Sequence, residues 1–336
     1  MKFSRLSISL ILLFSLALFL QKTALAQRQS SIPDPTLAQF QKSQPESAED
    51  YFNRGIIYFE QGKNHLALAD FTQAITINPD YAKAYNNRGA IYFEQGKNHL
   101  ALADYDKTLE IDSKNATAYN NRGMIHLLQG EDDLALADFN QSLEIDPKNT
   151  NAHYYRGLIY GRKGKDDLAL ADFNQVLEAN PKNANAHYYR GLIYGRKGKD
   201  DLALADFTQA VKINSDLDDA YYNLAVIYDE QEQYDLALAN YDRAIEINSK
   251  NAKAYYNRGN IYFQQGKNNL ALAEFSQAIK ANPNYAKAYA NRGIIYYQQR
   301  RDTLALADWE SAKQLFQAQG DIASVEEIDG FLRSIP

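Results

Sequence analysis

The sequence predicts an all-α chain of eight helix-turn-helix repeats that stack into a solenoid. Three observations support this fold class. The stretch from Asn53 to Phe71 returns almost letter for letter 34 residues later, and the period continues to residue 319. Fixed positions of each repeat hold small or aromatic residues, and the apolar residues within a repeat recur at helical spacing. Because one helical hairpin cannot bury its own apolar face, the repeats are expected to stack on one another.

The composition limits the possible functions. The chain has 336 residues, 45% of them hydrophobic, which is enough for a sizeable core. Its net charge of −6 argues against nucleic acid as a partner, because phosphate binding needs a basic face. The sequence has no cysteine, which excludes disulfides, thiolate metal sites and cysteine nucleophiles.

The N-terminus is typical of a secretory signal peptide over residues 1–26. Lys2 and Arg5 precede an apolar run over residues 6–20, and Ala24-Leu25-Ala26 provides a cleavage site of small residues. An uncleaved membrane anchor is the alternative, but the run is shorter than the ~20 apolar residues that a spanning helix needs. We therefore expect an exported protein, periplasmic or secreted, without a membrane span after cleavage. The polar, proline-containing residues 27–47 are expected to form a flexible linker.

The repeat units follow a common numbering that starts at Ala48. The eight repeats are 48–81, 82–115, 116–149, 150–183, 184–217, 218–251, 252–285 and 286–319. Position 8 is Gly except for Ala225, and position 20 is always Ala. Position 24 is always aromatic: Phe71, Tyr105, Phe139, Phe173, Phe207, Tyr241, Phe275 and Trp309.

Each repeat is predicted to be two helices joined by a turn, which is Gly-Lys in five of the eight repeats. Ala67, Phe71 and Ala74 share one helical face, and the Asn78-Pro79 pair ends that helix because proline cannot continue it. Asn64 in repeat one, or Asp167 in repeat four, beside the turn, is expected to cap the second helix. Gly55 is expected where the two helices approach closely.

These positions resemble the tetratricopeptide repeat (TPR) family. The family pattern is met in the first repeat by Tyr51, Gly55, Tyr58, Ala67, Phe71, Ala74 and Pro79. The resemblance covers residues 48–319 and implies a right-handed superhelix whose first helices line a concave, protein-binding groove. It implies a non-catalytic scaffold or assembly factor without a cofactor, and it leaves the oligomeric state open.

Position 7 departs from the family pattern, because it is Arg in seven repeats where the family usually has an apolar residue. Position 23 is acidic in the same seven repeats, and the sixth repeat replaces both residues, with Leu224 and Asn240. A partly buried arginine needs a carboxylate. We therefore expect an ion pair between the two helices of a repeat, as between Arg54 and Asp70.

The candidate peptide-binding residues fall into two groups. Position 6 holds six asparagines that resemble an asparagine ladder of the family, where each amide can donate to and accept from a peptide backbone: Asn53, Asn87, Asn121, Asn223, Asn257 and Asn291. The alternative is that these asparagines belong to a repeat consensus and are merely solvated.

The second group lies in the nearly identical repeats four and five: Tyr154, Tyr155, Tyr188, Tyr189, Arg162 and Arg196. Tyrosine and arginine often anchor interfaces, so these residues predict an aromatic and basic centre for a protein partner. One alternative is a duplication without a special role. Another is that the centre stacks on sugar rings of envelope glycans or peptidoglycan.

No catalytic or metal motif is found in the sequence. Four of the five histidines recur at the repeat spacing and His126 stands where the other repeats have tyrosine, so packing explains them. The two ends of the repeat array are expected to be capped. At the start, Ser47 and Asp50 are expected to form a capping box. At the other end, a helix within residues 320–336 is expected to cover the last repeat with Ile322, Val325, Ile328 and Leu332.

Overall fold

The computed structural model describes residues 46–333, and the predicted signal peptide and most of the predicted linker lie outside this range. Within it the chain forms seventeen α-helices and no strand. The helices are α1 (Ala48–Glu60), α2 (Asn64–Ile77), α3 (Ala82–Glu94), α4 (Asn98–Ile111), α5 (Ala116–Gln129), α6 (Asp132–Ile145), α7 (Thr150–Arg162), α8 (Asp166–Ala179), α9 (Ala184–Arg196), α10 (Asp200–Ile213), α11 (Asp218–Glu230), α12 (Tyr234–Ile247), α13 (Ala252–Gln264), α14 (Asn268–Ala281), α15 (Ala286–Gln298), α16 (Asp302–Gln319) and α17 (Ile322–Arg333).

The helices divide into two compact units. Unit 1 ends at Pro181 and contains α1 to α8, which form repeats one to four. Unit 2 begins at Lys182 and contains α9 to α17, which form repeats five to eight and the C-terminal helix. Inside each unit the two helices of a repeat pack on each other, and the second helix also packs on the first helix of the next repeat. The tandem helix pairs confirm the predicted all-α repeat fold.

The close approach of the paired helices depends on small residues. The alanine at position 20 is fully buried in all eight repeats, and the aromatic side chain at position 24 fills the space beside it. A β-carbon added to Gly55 would lie 2.7 Å from Cε1 of Phe71, and one added to Gly293 would lie 2.6 Å from Nε1 of Trp309. These distances are too short for a methyl group, so glycine at position 8 lets the two helices meet.

The turn between the paired helices requires a left-handed residue. Glycine provides it in six repeats, with φ of 72° at Gly62, whereas Glu232 and Arg300 adopt φ of 59° and 60° in repeats six and eight. Our prediction that Asn64 caps α2 is wrong. Asn64 is the first helical residue, and the preceding Lys63 is the N-cap without a side-chain capping bond.

The two ends of the described chain are capped by different contacts. Ser47 and Asp50 form the predicted capping box at the start of α1. At the other end Ile328 is buried, and the ring of Phe331 stacks on Trp309 with centroids 5.2 Å apart. Ile322 was expected to cover the last repeat, but 71% of it is exposed, and Phe331 takes that role instead. Among the residues that the structure describes, no helix has the length and apolar character to cross a bilayer.

Candidate functional site

The predicted ion pair between the two helices of a repeat is confirmed. Each arginine at position 7 uses two nitrogens on the carboxylate at position 23: in the first repeat Nε and Nη2 of Arg54 lie 2.7 Å from the two carboxylate oxygens of Asp70. The same pairs form at Arg88–Asp104, Arg122–Asp138, Arg156–Asp172, Arg190–Asp206, Arg258–Glu274 and Arg292–Asp308. The arginine at position 7 thus joins the two helices of its own repeat.

The same arginine also reaches the preceding repeat through Nη1. In unit 1 this atom of Arg122 donates to Asp106 at 2.7 Å, and in unit 2 that of Arg258 donates to Asp242 at 2.6 Å. The hydrogen bonds that Arg122 donates to the Asp138 carboxylate raise the pKa of the Arg122 guanidinium. Because one planar guanidinium joins two repeats, the pair fixes the orientation of neighbouring hairpins.

Repeats four and five add a histidine to the ion pair. In repeat four, Nδ1 of His153 lies 2.7 Å from Oδ1 of Asp172, and Nε2 lies 3.0 Å from the carbonyl oxygen of Pro147. In repeat five, Nδ1 of His187 lies 2.8 Å from Oδ1 of Asp206. These contacts place both histidines in the packing of the hairpin. Among the described residues no cluster of side chains could hold a metal ion.

In unit 1, two of the three asparagines of the predicted ladder form hydrogen bonds with groups of their own helix. Nδ2 of Asn87 donates to the carbonyl oxygen of Lys83 in its own helix at 2.8 Å. Asn121 is 8% exposed, and its Oδ1 accepts from Nδ2 of Asn120 at 3.3 Å. Asn53 is half-buried. The three side chains therefore do not share one environment, and their predicted role in binding stays a prediction.

In unit 2 the asparagines and tyrosines of consecutive first helices are hydrogen-bonded to each other. Nδ2 of Asn257 donates to the hydroxyl of Tyr222 at 3.3 Å, and Nδ2 of Asn291 donates to the hydroxyl of Tyr256 at 3.2 Å. Asn291 also donates to Oδ1 of Asn260 at 2.8 Å. All five side chains are half-buried, so they have both partners within the protein and area open to solvent. We call these five residues the Tyr–Asn line.

The remaining predicted asparagine of unit 2 differs from those in the Tyr–Asn line. Asn223 is buried, and its Nδ2 donates to the carbonyl oxygen of Asp219 at 2.6 Å. Burial raises the pKa of the Asp219 carboxyl, and it raises that of Asp229 at the other end of α11. Exposed Lys253 lies at the start of α13. The first helices of unit 2 therefore combine amide, hydroxyl, acidic and basic groups.

The predicted aromatic centre of repeat four is mostly buried. Tyr154 is 8% and Tyr155 is 2% exposed, and their rings meet edge to face with centroids 5.2 Å apart. Tyr155 also stacks on Phe139, with the centroids 5.9 Å apart. Nη2 of Arg162 forms an ion pair with Asp132 of the preceding repeat. These contacts place the two tyrosines in the core, with little ring area left for a ligand.

Repeat five shows the same arrangement with one difference. Tyr189 is buried and Tyr188 is half-buried, and their rings meet edge to face with centroids 5.1 Å apart. Burial raises the pKa of Tyr189 to about 12. Arg196 is half-buried at the end of α9. Binding by these six tyrosines and arginines is not tested by their positions, and it stays a prediction.

Sequence reasoning missed Tyr222, Tyr256 and Asn260. A usable signal was present, since position 5 is tyrosine in repeats six and seven, directly before the position 6 asparagine. Two hydrogen bonds of the Tyr–Asn line join position 5 of one repeat to position 6 of the next, 35 residues later in the sequence. The third joins position 9 of repeat seven to position 6 of repeat eight.

Comparisons with known proteins agree with this architecture. Tetratricopeptide repeat models match residues 55–96, 162–198, 227–266 and 259–299, and further models of the same repeat match residues 80–148 and 184–217. The chain therefore belongs to the tetratricopeptide repeat family. A comparison with curated proteins gave no match.

Several solved structures share the fold. YrrB, described as a TPR protein with an unusual peptide-binding site, is 30% identical, with a TM-score of 0.50 over 55% of this chain and 95% of YrrB. A tetratricopeptide repeat protein from Parabacteroides merdae is 24% identical, with a TM-score of 0.50 over 78% of this chain and 100% of that one. PilF of Pseudomonas aeruginosa is 17% identical, with a TM-score of 0.54 over 66% and 97%. The last two show the fold alone. Together, the family and the likeness to YrrB support a protein-interaction scaffold.

Proposed function

We propose that the chain is a non-catalytic scaffold or assembly factor that binds an extended peptide or a segment of a partner protein along the first helices of unit 2. The Tyr–Asn line is the observation that carries this proposal. Besides its bond to Tyr222, the Asn257 amide has a second N–H and a carbonyl oxygen. Asn291 keeps its carbonyl oxygen and Asn260 its two N–H groups, and such donors and acceptors match the peptide unit. The description of YrrB as a peptide-binding TPR protein supports the same use of the fold.

The charges beside the line favour a peptide over an apolar ligand. Asp219 and Lys253 occupy position 2 of neighbouring repeats, so opposite charges lie at the same place on successive first helices. A peptide bound along these helices has its backbone on the amides and its charged side chains near these residues. We further propose that the protein acts after export, on the strength of the predicted signal peptide. Fractionation of cells that express the tagged chain tests this location.

Affinity capture with matched variants tests the binding proposal. The native protein, Asn257→Ala/Asn291→Ala, and the control Asn87→Ala are immobilised and exposed to an envelope extract. Asn87 is a suitable control because it occupies the same repeat position but bonds its own helix. We expect the native chain and the control to retain the same partner and the double variant to lose it. Peptides from that partner are then titrated by calorimetry. Equal retention by all three proteins would remove the Tyr–Asn line from the binding site.

A further inference from the structure

In each unit, leucines recur in the first turn of the second helices, beside the fully buried alanines of the hairpin core. Position 19 is leucine in every repeat: Leu66, Leu100, Leu134, Leu168, Leu202, Leu236, Leu270 and Leu304. The last seven are between 37% and 53% exposed, while the next residue, alanine at position 20, is fully buried. The alanine at position 22 is also exposed, for example at Ala103 and Ala137. We call the leucines of position 19 with these alanines the leucine ridge.

Single exposed leucines need no explanation, but this pattern repeats without exception. Position 19 lies in the first turn of the second helix, whereas the Tyr–Asn line lies on first helices. The ridge is therefore separate from the proposed peptide site. A partner that matches more than one or two of these leucines must itself carry an apolar group at the spacing of the repeats. A second copy of this chain has that spacing.

The charges beside the ridge in unit 1 distinguish the possible orientations of a second copy. The residues at positions 15 to 18, just before each leucine, are Gly-Lys-Asn-His in repeats one and two, Gly-Glu-Asp-Asp in repeat three and Gly-Lys-Asp-Asp in repeat four. Their formal charges, with histidine neutral, are +1, +1, −3 and −1. Asp132 and Asp133 of repeat three form ion pairs with Arg162 and Lys163 of repeat four, so Glu131 carries the remaining negative charge of that turn. In unit 1 the turns of repeats one and two are therefore basic, and those of repeats three and four are acidic.

We propose that the leucine ridge of unit 1 is a self-association surface that binds the same surface of a second copy in antiparallel orientation. A two-fold axis between repeats two and three places repeat two opposite repeat three of the other copy, and repeat one opposite repeat four. Each basic turn then faces an acidic turn. A parallel arrangement would place Glu131 of repeat three opposite Glu131 of the other copy, which like-charge repulsion disfavours.

The central contact joins Leu100 of one copy to Leu134 of the other, with Lys97 opposite Glu131. All four side chains are exposed in the structure. We expect the association to be reversible, with the monomer and dimer exchanging at micromolar concentrations.

Sedimentation velocity across the micromolar range tests the proposal on the protein purified as its host processes it. The variant Leu100→Gln/Leu134→Gln removes the central apolar contact, and Leu202→Gln/Leu236→Gln is the control. The control changes the same position, but both of its leucines follow acidic turns. We expect the dissociation constant of the dimer to rise about tenfold or more in the first variant and to change less than threefold in the control. All four leucines are exposed, so thermal unfolding should not separate the two variants.

Charge reversal tests the antiparallel orientation. Lys97→Glu alone and Glu131→Lys alone each place like charges opposite each other, so each variant weakens the dimer. The two changes together restore an opposite pair and bring the dissociation constant back towards the native value. Glu131 also contacts His126, at 2.6 Å, so circular dichroism of each variant checks that α5 is intact.

Three results would overturn the proposal: a native protein that is monomeric throughout, equal weakening by the two leucine pairs, or a double charge variant weaker than either single one. Flotation with phospholipid vesicles tests whether the leucine ridge binds a lipid surface instead of a second copy. Binding to vesicles that the Leu100→Gln/Leu134→Gln variant loses, with a monomeric native protein, would assign the ridge to a lipid surface.

Discussion

Repeat six and the other seven repeats build the same hairpin with different residues at its centre. Seven repeats hold the paired helices with an arginine at position 7 and an acid at position 23. Repeat six has Leu224 and Asn240 there. It also has Ala225 where the other repeats have glycine, and Glu232 at a turn position that is glycine in six repeats. Leu224 is buried, and Nδ2 of Asn240 donates to the carbonyl oxygen of Leu236 at 2.8 Å.

The unchanged features show what defines the hairpin. The helices α11 and α12 have 13 and 14 residues, as α1 and α2 do. Ala237 and Tyr241 of repeat six are fully buried, as their counterparts are elsewhere. Apolar packing therefore sets the hairpin, and the ion pair can be replaced as a unit. Removal of one partner alone leaves a charge in a partly buried place, which is a different change.

The largest expected effect is the loss of one carboxylate. Asp138→Ala leaves Arg122 without its buried partner, and we expect the free energy of unfolding to fall by about 2–3 kcal/mol. This is below the range for fully buried pairs because the Arg122 side chain is 24% exposed and keeps its bond to Asp106. Urea unfolding followed by circular dichroism measures it. Asn240→Ala, the matched change in repeat six, should cost less than about 0.5 kcal/mol, and equal losses would contradict the comparison.

The second effect concerns the close approach of the two helices. A β-carbon on Gly123 would lie 3.0 Å from Cε1 of Phe139, so Gly123→Ala should destabilise the protein by about 1–2 kcal/mol despite the better helix propensity of alanine. Repeat six already accommodates Ala225 at this position. A stabilising Gly123→Ala would show that the hairpins are looser than the structure indicates, and thermal unfolding decides between these outcomes.

The third effect concerns a variant of repeat three that carries the residues of repeat six at positions 7 and 23. Arg122→Leu with Asp138→Asn removes the ion pair as a unit, and we expect stability within about 1 kcal/mol of the native protein. The single variant Asp138→Ala is the reference in the same urea experiment. A double variant as unstable as the single one would show that the arginine bonds to two repeats cannot be replaced by apolar packing.

The fourth effect is a gain in stability from a substitution in the turn of repeat six. Glu232 adopts the left-handed conformation that glycine provides at Gly62, so Glu232→Gly should raise the free energy of unfolding by about 1 kcal/mol. Arg300→Gly should act in the same direction in repeat eight. Gly130→Ala, at the same position of repeat three, is the opposite change and should destabilise. A loss in either glycine variant would mean that Glu232 or Arg300 makes a compensating contact.

The smallest effect depends on pH. Burial raises the pKa of Asp219 above its ordinary value of 3.8, so the ionised carboxyl weakens the folded state at neutral pH. Asp219→Asn should therefore stabilise slightly at pH 7. The gain should shrink as pH falls through the raised pKa and vanish below 3.8, where the folded and unfolded carboxyls are both protonated. Thermal unfolding across this range measures it, and a gain that persists at low pH would assign the effect to shape.

The periodic features of the fold could be predicted from the sequence. The period of 34 residues, with alanine at position 20 and an aromatic residue at position 24, predicts the hairpin because every repeat packs its two helices with the same residue types. The pairing of Arg54 with Asp70 followed from the joint replacement in repeat six. The capping role of Asn64 was predicted wrongly because a helix boundary is uncertain by a residue, and the cap changes with it.

The candidate site was harder to predict because identical letters have different environments. Asn87 and Asn257 share repeat position 6, yet one bonds its own helix and the other a tyrosine of the preceding repeat. The difference arises from position 5 of the preceding repeat, which is Phe52 before Asn87 and Tyr222 before Asn257. Tyr155 was predicted at a surface, but its ring packs on Phe139, since an aromatic residue on a first helix can equally fill the core.

Photo-crosslinking tests the central claim, that first helices of unit 2 bind the partner, most directly. A photoreactive amino acid is placed at Asn260, within the Tyr–Asn line, or at Gln277, which is exposed on the second helix of the same repeat. We expect a crosslinked partner from position 260 and none from position 277. A partner crosslinked only from position 277 would contradict it and place binding on the second helices.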